Sequence, residues 1–257
     1  MPSIAVEKDG FIATVTISNP GKLNAIASGM WIALQQSFSR LSQDDELRCV
    51  ILRGEDSDFA AGADIEEFPQ VRATKEQAIN YHANLIAPAL HAVAQCTHPT
   101  VAAIDGICVG GGLELACACD IRIASPASRF GIPINLRGFP LAPGEMEGLL
   151  NLVGKATVLE ILLEGRIFDA SEAREKGLIH RIASDVYTHA QETAQRIAAG
   201  APLAARMNKK LVRRLAPGIS ALTDQEIQDA FSYMSSADYR EGVQSFIQKR
   251  KPSFTGK

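Results

Sequence analysis

The stretch CVGGGLELACACD, residues 108–120, sets three glycines in a row and then one carboxylate in an apolar run. Both choices oppose stability. Glycine loses more backbone entropy on folding than any other residue. Glu114, among Leu113, Leu115, Ala116 and Cys117, must be desolvated unless it is paired or used. The pattern reads as a glycine loop that runs into the start of a helix. Gly110–Gly112 either lets strand and helix pack closely, or leaves backbone N–H groups uncovered where the helix begins. The first N–H groups of a helix have no internal partner, and the dipole there favours negative charge.

A second loop has the same character. AAGADIEEF at 60–68 runs from small residues into a possible helix start, with Asp64 and Glu67 at capping-box spacing. By itself it is a capped turn. Two such helix starts aimed at one point would form a hole for an oxyanion.

Around these loops the chain alternates strands and helices. Residues 3–7 and 11–17 predict a hairpin across KDG. Ser28 is placed to cap a helix whose face is Met30, Trp31, Leu34, Phe38 and Leu41. CVILRG at 49–54 is a strand, 75–96 is helical despite Pro88, and VAAIDG at 101–106 and DIRIAS at 120–125 are strands. Residues 145–163 are helical. DASEAREKG at 169–177 is a helix capped by Asp169 or Ser171 and stopped at Gly177, and LIHRIA at 178–183 is a last strand. From 185 onward only helices are expected, with breaks at Gly200–Pro202 and Pro217–Gly218. The class is α/β, with mainly parallel strands joined by crossover helices. Residues 1–185 form the core, and 186–257 form a helical region too short for an ordinary independent domain.

Bulk properties exclude more than they specify. The 257 residues are 46% hydrophobic, and the net charge of −3 gives no sign of nucleic acid binding. The basic run Lys209, Lys210, Arg213 and Arg214 reads as a solvated helix face. The first ten residues lack the pattern of a leader, and no window has the roughly 18 apolar residues of a membrane span. Five cysteines in apolar settings suit free thiols in a reducing cytoplasm. Cys117 and Cys119 are too close for usual zinc spacing, so no metal is expected. GxGxxG after a strand, GxxxxGK[ST], HExxH and GxSxG are absent. The five histidines, His82 and His91 included, show no ligand spacing and read as structural or surface groups.

FAAGADIEEF at 59–68, PTVAAIDGICVGGGLELACACDIRIAS at 99–125 and FGIP at 130–133 resemble the enoyl-CoA hydratase/isomerase (crotonase) superfamily. So do ISNPGKLNAI at 17–26, GRIFDASEAREKGLIHRI at 165–182 and YREGVQSFIQKRKPSF at 239–254. The resemblance implies a spiral of ββα units with C-terminal helices packing at subunit contacts, in a homotrimer or homohexamer. It implies an acyl-CoA thioester as substrate, with coenzyme A arriving as part of it and no separate cofactor. Ala63 and Gly111 match the two backbone donors that hold the thioester oxygen while an enolate forms. Lys22, Leu23, Ala25, Ala61, Asp64 and Ile65 match CoA-contacting loops, and Phe246 and Lys249 match tail positions that reach a neighbour's CoA. Glu114 matches one of two hydratase glutamates and is expected to act as general acid/base.

One departure stands out. The second glutamate, directly after the proline of FGxP, is Ile134 here. Glu145 and Glu147 lie close by, either to supply the missing acid or to sit on a helix surface or cap. Hydration of a 2-enoyl-CoA is the expected reaction. Isomerisation, decarboxylation, thioester hydrolysis and CoA binding without turnover are the alternatives.

Overall fold

The computed structural model describes residues 1–216 and 223–253. The expected break at Pro217–Gly218 and Phe254 of the tail stretch lie outside them. Strands β1 (Ser3–Asp9) and β2 (Ile12–Ser18) form the hairpin, with Ile4 opposite Ile17. Strand β2 then pairs in parallel with β3 (Cys49–Gly54), and β3 with β4 (Thr100–Ile104). The short β5 (Ile107–Val109) leaves this sheet; β6 (Ile121–Ala124) returns to pair with β4. Strands β7 (Arg129–Gly131) and β8 (Phe168–Asp169) join β5 in a second sheet of order β5-β7-β8. Strand β9 (Arg181–Ile182) closes the main sheet, of order β1-β2-β3-β4-β6-β9. It is shorter than the strand expected over 178–183.

The helices are α1 (Ser28–Leu41), α2 (Phe68–Val71), α3 (Lys75–Tyr81), α4 (Ala87–Ala94), α5 (Gly111–Ala118), α6 (Pro143–Glu164) and α7 (Ala170–Glu175). They are followed by α8 (Val186–Ala199), α9 (Pro202–Leu215), α10 (Asp224–Ala230) and α11 (Ala237–Ile247). The helical run expected over 75–96 survives Pro88 by deforming. A π turn at His82–Ile86 separates α3 from α4, and Pro88 falls in the first turn of α4, where its missing N–H leaves no bond broken. Asp169, rather than Ser171, caps α7 by accepting from the Glu172 N–H.

Side chains alternate across the parallel strands, as a pleat requires. Cys49, Ile51, Val101, Ala103 and Ile123 pack with Val186, Ala190 and Ala194 of α8. Their neighbours Val50, Leu52, Ala102, Ile104 and Ala124 join the larger core, with Trp31, Leu34 and Phe38 of α1 and Leu113 and Leu115 of α5. All five cysteines are free and buried. Among the described residues no helix is long and apolar enough to cross a membrane.

Candidate active site

The two small-residue loops meet. Residues 60–64 run between Ile26 and Cys108, held by isolated parallel bridges Ile26↔Ala63 and Ala60↔Cys108. In the first bridge the Ile26 N–H donates to Gly62 O at 2.7 Å, and the Asp64 N–H donates to Ile26 O at 3.0 Å. The bonds use the neighbours of Ala63 and leave its own N–H out. Gly110, at φ +54° and ψ −126°, turns the chain from β5 into α5, a conformation glycine adopts freely. Glu114 N–H donates to Gly110 O at 3.0 Å as the helix begins. The Gly111 N–H is therefore one of the unmatched donors of the first turn. A Cβ on Gly62 would lie 3.4 Å from Gly111 N, and a Cβ on Gly111 3.6 Å from Ala63 N. The two amides thus lie close together, and among the described residues neither N–H is engaged in a hydrogen bond.

Both readings of the glycine run hold, at different glycines. A Cβ on Gly112 would come within 2.2 Å of Ala60 O, so close packing requires glycine there. Gly111 is instead the residue whose N–H stands open.

Glu114 lies in the first turn of α5, and Glu145 in the first turn of α6; both are buried, each 6% exposed. Burial pushes the Glu114 carboxyl well above the usual range, and the like charge of Glu145 adds to it. Burial raises Glu145 to about 8, against the opposing pull of the Arg72 charge. Glu145 Oε1 is 2.5 Å from His82 Nδ1. Burial, reinforced by Arg72, holds the His82 imidazole neutral. The arrangement is two buried carboxyl groups that titrate together, one of them bonded to a neutral histidine.

Glu147 is exposed and takes no part, while Ile134 is half-buried against the core. His82, expected to be a structural or surface group, is buried and bonded to Glu145, a contact that its spacing in the sequence does not announce. Pro88, six residues beyond His82, signals in the sequence that the helix must deform nearby.

The loop positions matched to CoA contacts also gather together. Lys22 Nζ lies 2.7 Å from Asp64 Oδ2 and 2.8 Å from Glu66 Oε2. Leu23, at φ +49°, is exposed, and its carbonyl accepts from the Ala61 N–H at 3.0 Å. Ala25 N–H donates to Lys22 O at 2.9 Å. Asp64 caps the 3-10 turn Ile65–Glu67 by accepting from the Glu66 N–H, so the capping box expected of Asp64 and Glu67 does not form. Glu67 reaches instead to the Ser28 N–H and hydroxyl, at 2.7 and 2.6 Å. Ser28 is correspondingly the first residue of α1 rather than its cap, a place held by Ala27. Phe246 and Lys249 lie exposed at the end of α11, with the Arg137 guanidinium 4.4 Å from the Phe246 ring centre.

Residues 7–257 match the family described as enoyl-CoA hydratase/isomerase. A short-chain-enoyl-CoA hydratase of Clostridium acetobutylicum is 31% identical over 256 residues, covering 97% of this chain and 96% of that protein. The crystal structure of an enoyl-CoA hydratase/carnithine racemase from Magnetospirillum magneticum superposes with a TM-score of 0.82 at 43% identity, covering 100% of this chain and 97% of that one. A methylmalonyl-CoA decarboxylase in complex with 2-nitronate-propionyl-CoA superposes with a TM-score of 0.86 at 25% identity, covering 99% and 98%. Matches that run nearly end to end, over the same meeting of loops that the sequence suggested, place the chain: it belongs to the enoyl-CoA hydratase/isomerase family and has the crotonase fold.

Proposed function

We propose that the protein adds water across the double bond of a 2-enoyl-CoA, with Glu114 as the principal acid/base. The observation that carries this reading is the pair of unengaged N–H groups, Ala63 and Gly111, at the start of the helix that buries Glu114. The thioester oxygen accepts from both. Water oxygen bonds to the β-carbon as a carboxylate takes its proton. The double-bond electrons move onto the thioester as an enolate, and the α-carbon then takes a proton from a carboxyl group. The donors favour the enolate oxygen over the neutral carbonyl, which lowers the barrier.

Glu145, with His82 behind it, supplies the second proton-moving group where the family pattern has glutamate and this chain has Ile134. Its burial beside Glu114 favours this over CoA binding without turnover. Lys22, Leu23, Ala25, Ala61, Asp64 and Ile65 form the CoA surface, with Phe246 and Lys249 serving a neighbouring subunit. A trimer or hexamer suits α9, where Leu203, Met207, Leu211 and Leu215 are exposed at helical spacing. The buried thiols suit a reducing compartment.

Hydration is read as loss of enoyl absorbance with gain of one water by mass. Glu114→Gln should lower turnover by about 10²–10⁴ while leaving CoA-ester binding intact. Undiminished turnover in that variant would remove Glu114 from the mechanism. A panel of CoA esters separates isomerisation, decarboxylation and thioester hydrolysis by their mass changes.

A further inference from the structure

Two arginines are almost wholly buried, Arg122 at 2% exposure and Arg72 at 1%. Arg122 is satisfied. Its Nε donates to Leu178 O at 2.7 Å, and its Nη1 to the carbonyls of Ala116 and Cys119. Arg72 is not. Its Nη2 donates to the Tyr233 hydroxyl at 2.5 Å, while among the described residues Nε and Nη1 have no partner. Three N–H bonds of a permanently charged group therefore end in the interior without an acceptor. Glu145, the acid that feels the Arg72 charge, is bonded to His82 instead. Burying a cation unmatched is unfavourable. The rings of Phe68, Phe139 and Tyr239 lie 4.3, 4.4 and 5.4 Å from the guanidinium carbon, and offset part of that loss by cation–π attraction. The Tyr239 hydroxyl also lies against the guanidinium, as a further hydrogen-bonding neighbour beside Tyr233.

Unmatched polar atoms concentrate around this group. Among the described residues seven buried side-chain polar atoms lack a partner. Five belong together: Arg72 Nε and Nη1, the Tyr81 hydroxyl, His82 Nε2 and the Trp31 indole nitrogen. They also have an order. A Cβ on Gly111 would stand 3.0 Å from the Trp31 ring. The Trp31 indole neighbours the Tyr81 hydroxyl. Tyr81 packs edge-on against Phe68, and Arg72 lies over Phe68. Arg72 is thus several side chains removed from the Gly111 donor. The set is rich in donors, so what would complete it is rich in acceptors.

The geometry points to Arg72 as the seat of a carboxylate at the far end of the acyl chain. The preferred substrate is then an acyl-CoA whose chain ends in a carboxylate rather than a methyl group. Two carboxylate oxygens match Nε and Nη1 side by side, a fork that lysine cannot reproduce. The Tyr81 hydroxyl, which feels the Arg72 charge, is a further donor for the remaining lone pairs.

This inference rests on the acyl-CoA reading, so its test uses binding rather than turnover. Calorimetry compares a saturated five-carbon acyl-CoA ending in a carboxylate with its methyl-ended counterpart; neither can be hydrated. The carboxylate ester should bind at least tenfold tighter, and Arg72→Met should erase that ratio. Equal binding, or preference for the methyl end, overturns the inference. A preference that survives in Arg72→Met moves the carboxylate elsewhere and overturns the role of Arg72. If Arg72→Met fails to fold, Arg72→Lys replaces it: the ratio should fall there too, and an unchanged ratio counts against the fork. A carboxylate preference without hydration of any enoyl ester would leave this inference standing and remove only the hydratase reading.

Discussion

Helix α5 buries charged groups at both ends and does so in opposite ways. At its C-terminal end Arg122 donates to the carbonyls of Ala116 and Cys119, just where a helix leaves carbonyls unmatched and its dipole favours a cation. A third bond, to Leu178 O, completes the group. At its N-terminal end, Glu114 is buried beside the like charge of Glu145, and among the described residues nothing engages the Gly111 N–H. One end is complete in the folded chain, and the other awaits a partner. Burial alone does not mark a site. Buried groups left without anything to bind do.

The largest expected effect tests the finished end. Arg122→Met leaves the Leu178 and Cys119 carbonyls unmatched, while Ala116 O keeps the Cys119 N–H, and each buried acceptor left unmatched costs about 1–3 kcal/mol. Urea unfolding should show a loss of about 2 kcal/mol or more, while the protein that remains folded keeps its turnover. A loss under about 1 kcal/mol would erase the contrast between the two ends.

The unfinished end is tested by Gly112→Ala. The new methyl would stand 2.2 Å from Ala60 O, so the 60–63 loop must move off α5. Overpacking of this kind costs about 1–3 kcal/mol. It also separates the Ala63 and Gly111 amides, so turnover should fall further than stability explains. Gly148→Ala is the control. Its methyl would meet nothing closer than 3.8 Å, and alanine is the better helix former by up to about 1 kcal/mol. If the two variants behave alike, loop contact does not set the position of the amides.

The parts of this architecture that were readable in the sequence are those whose cause is local. The 3–18 hairpin, CVILRG at 49–54 and the apolar face of α1 carry their period in consecutive residues. Strands β7 and β8 do not. They have three and two residues, and are strands only because β5 pairs with β7 and β7 with β8. The glycine run was legible as a loop, but what each glycine does depends on Ala60 and Trp31 in space. His82 and Glu145 are 63 residues apart, and Arg72 and Tyr233 are 161 apart. Such pairs leave no trace in spacing, which is why Glu145 remained one of two candidates and His82 looked ordinary.

The smallest effect concerns how fully Glu145 belongs to the site. In the folded chain burial keeps its proton on up to about pH 8. In the unfolded chain the same carboxyl releases it near the ordinary glutamate value of about 4.5. Between these limits the folded state binds the extra proton, so its stability falls as pH rises through that window. One group acting alone contributes at most about 1.4 kcal/mol per pH unit. Glu114 is shifted in the same direction and keeps part of the slope in any Glu145 variant. Unfolding free energies measured from pH 5 to pH 8 should therefore fall for the wild-type chain and fall less steeply for Glu145→Gln. Parallel slopes would mean that burial does not hold the proton on Glu145, leaving Glu114 without the neighbour that the N-terminal end of α5 requires.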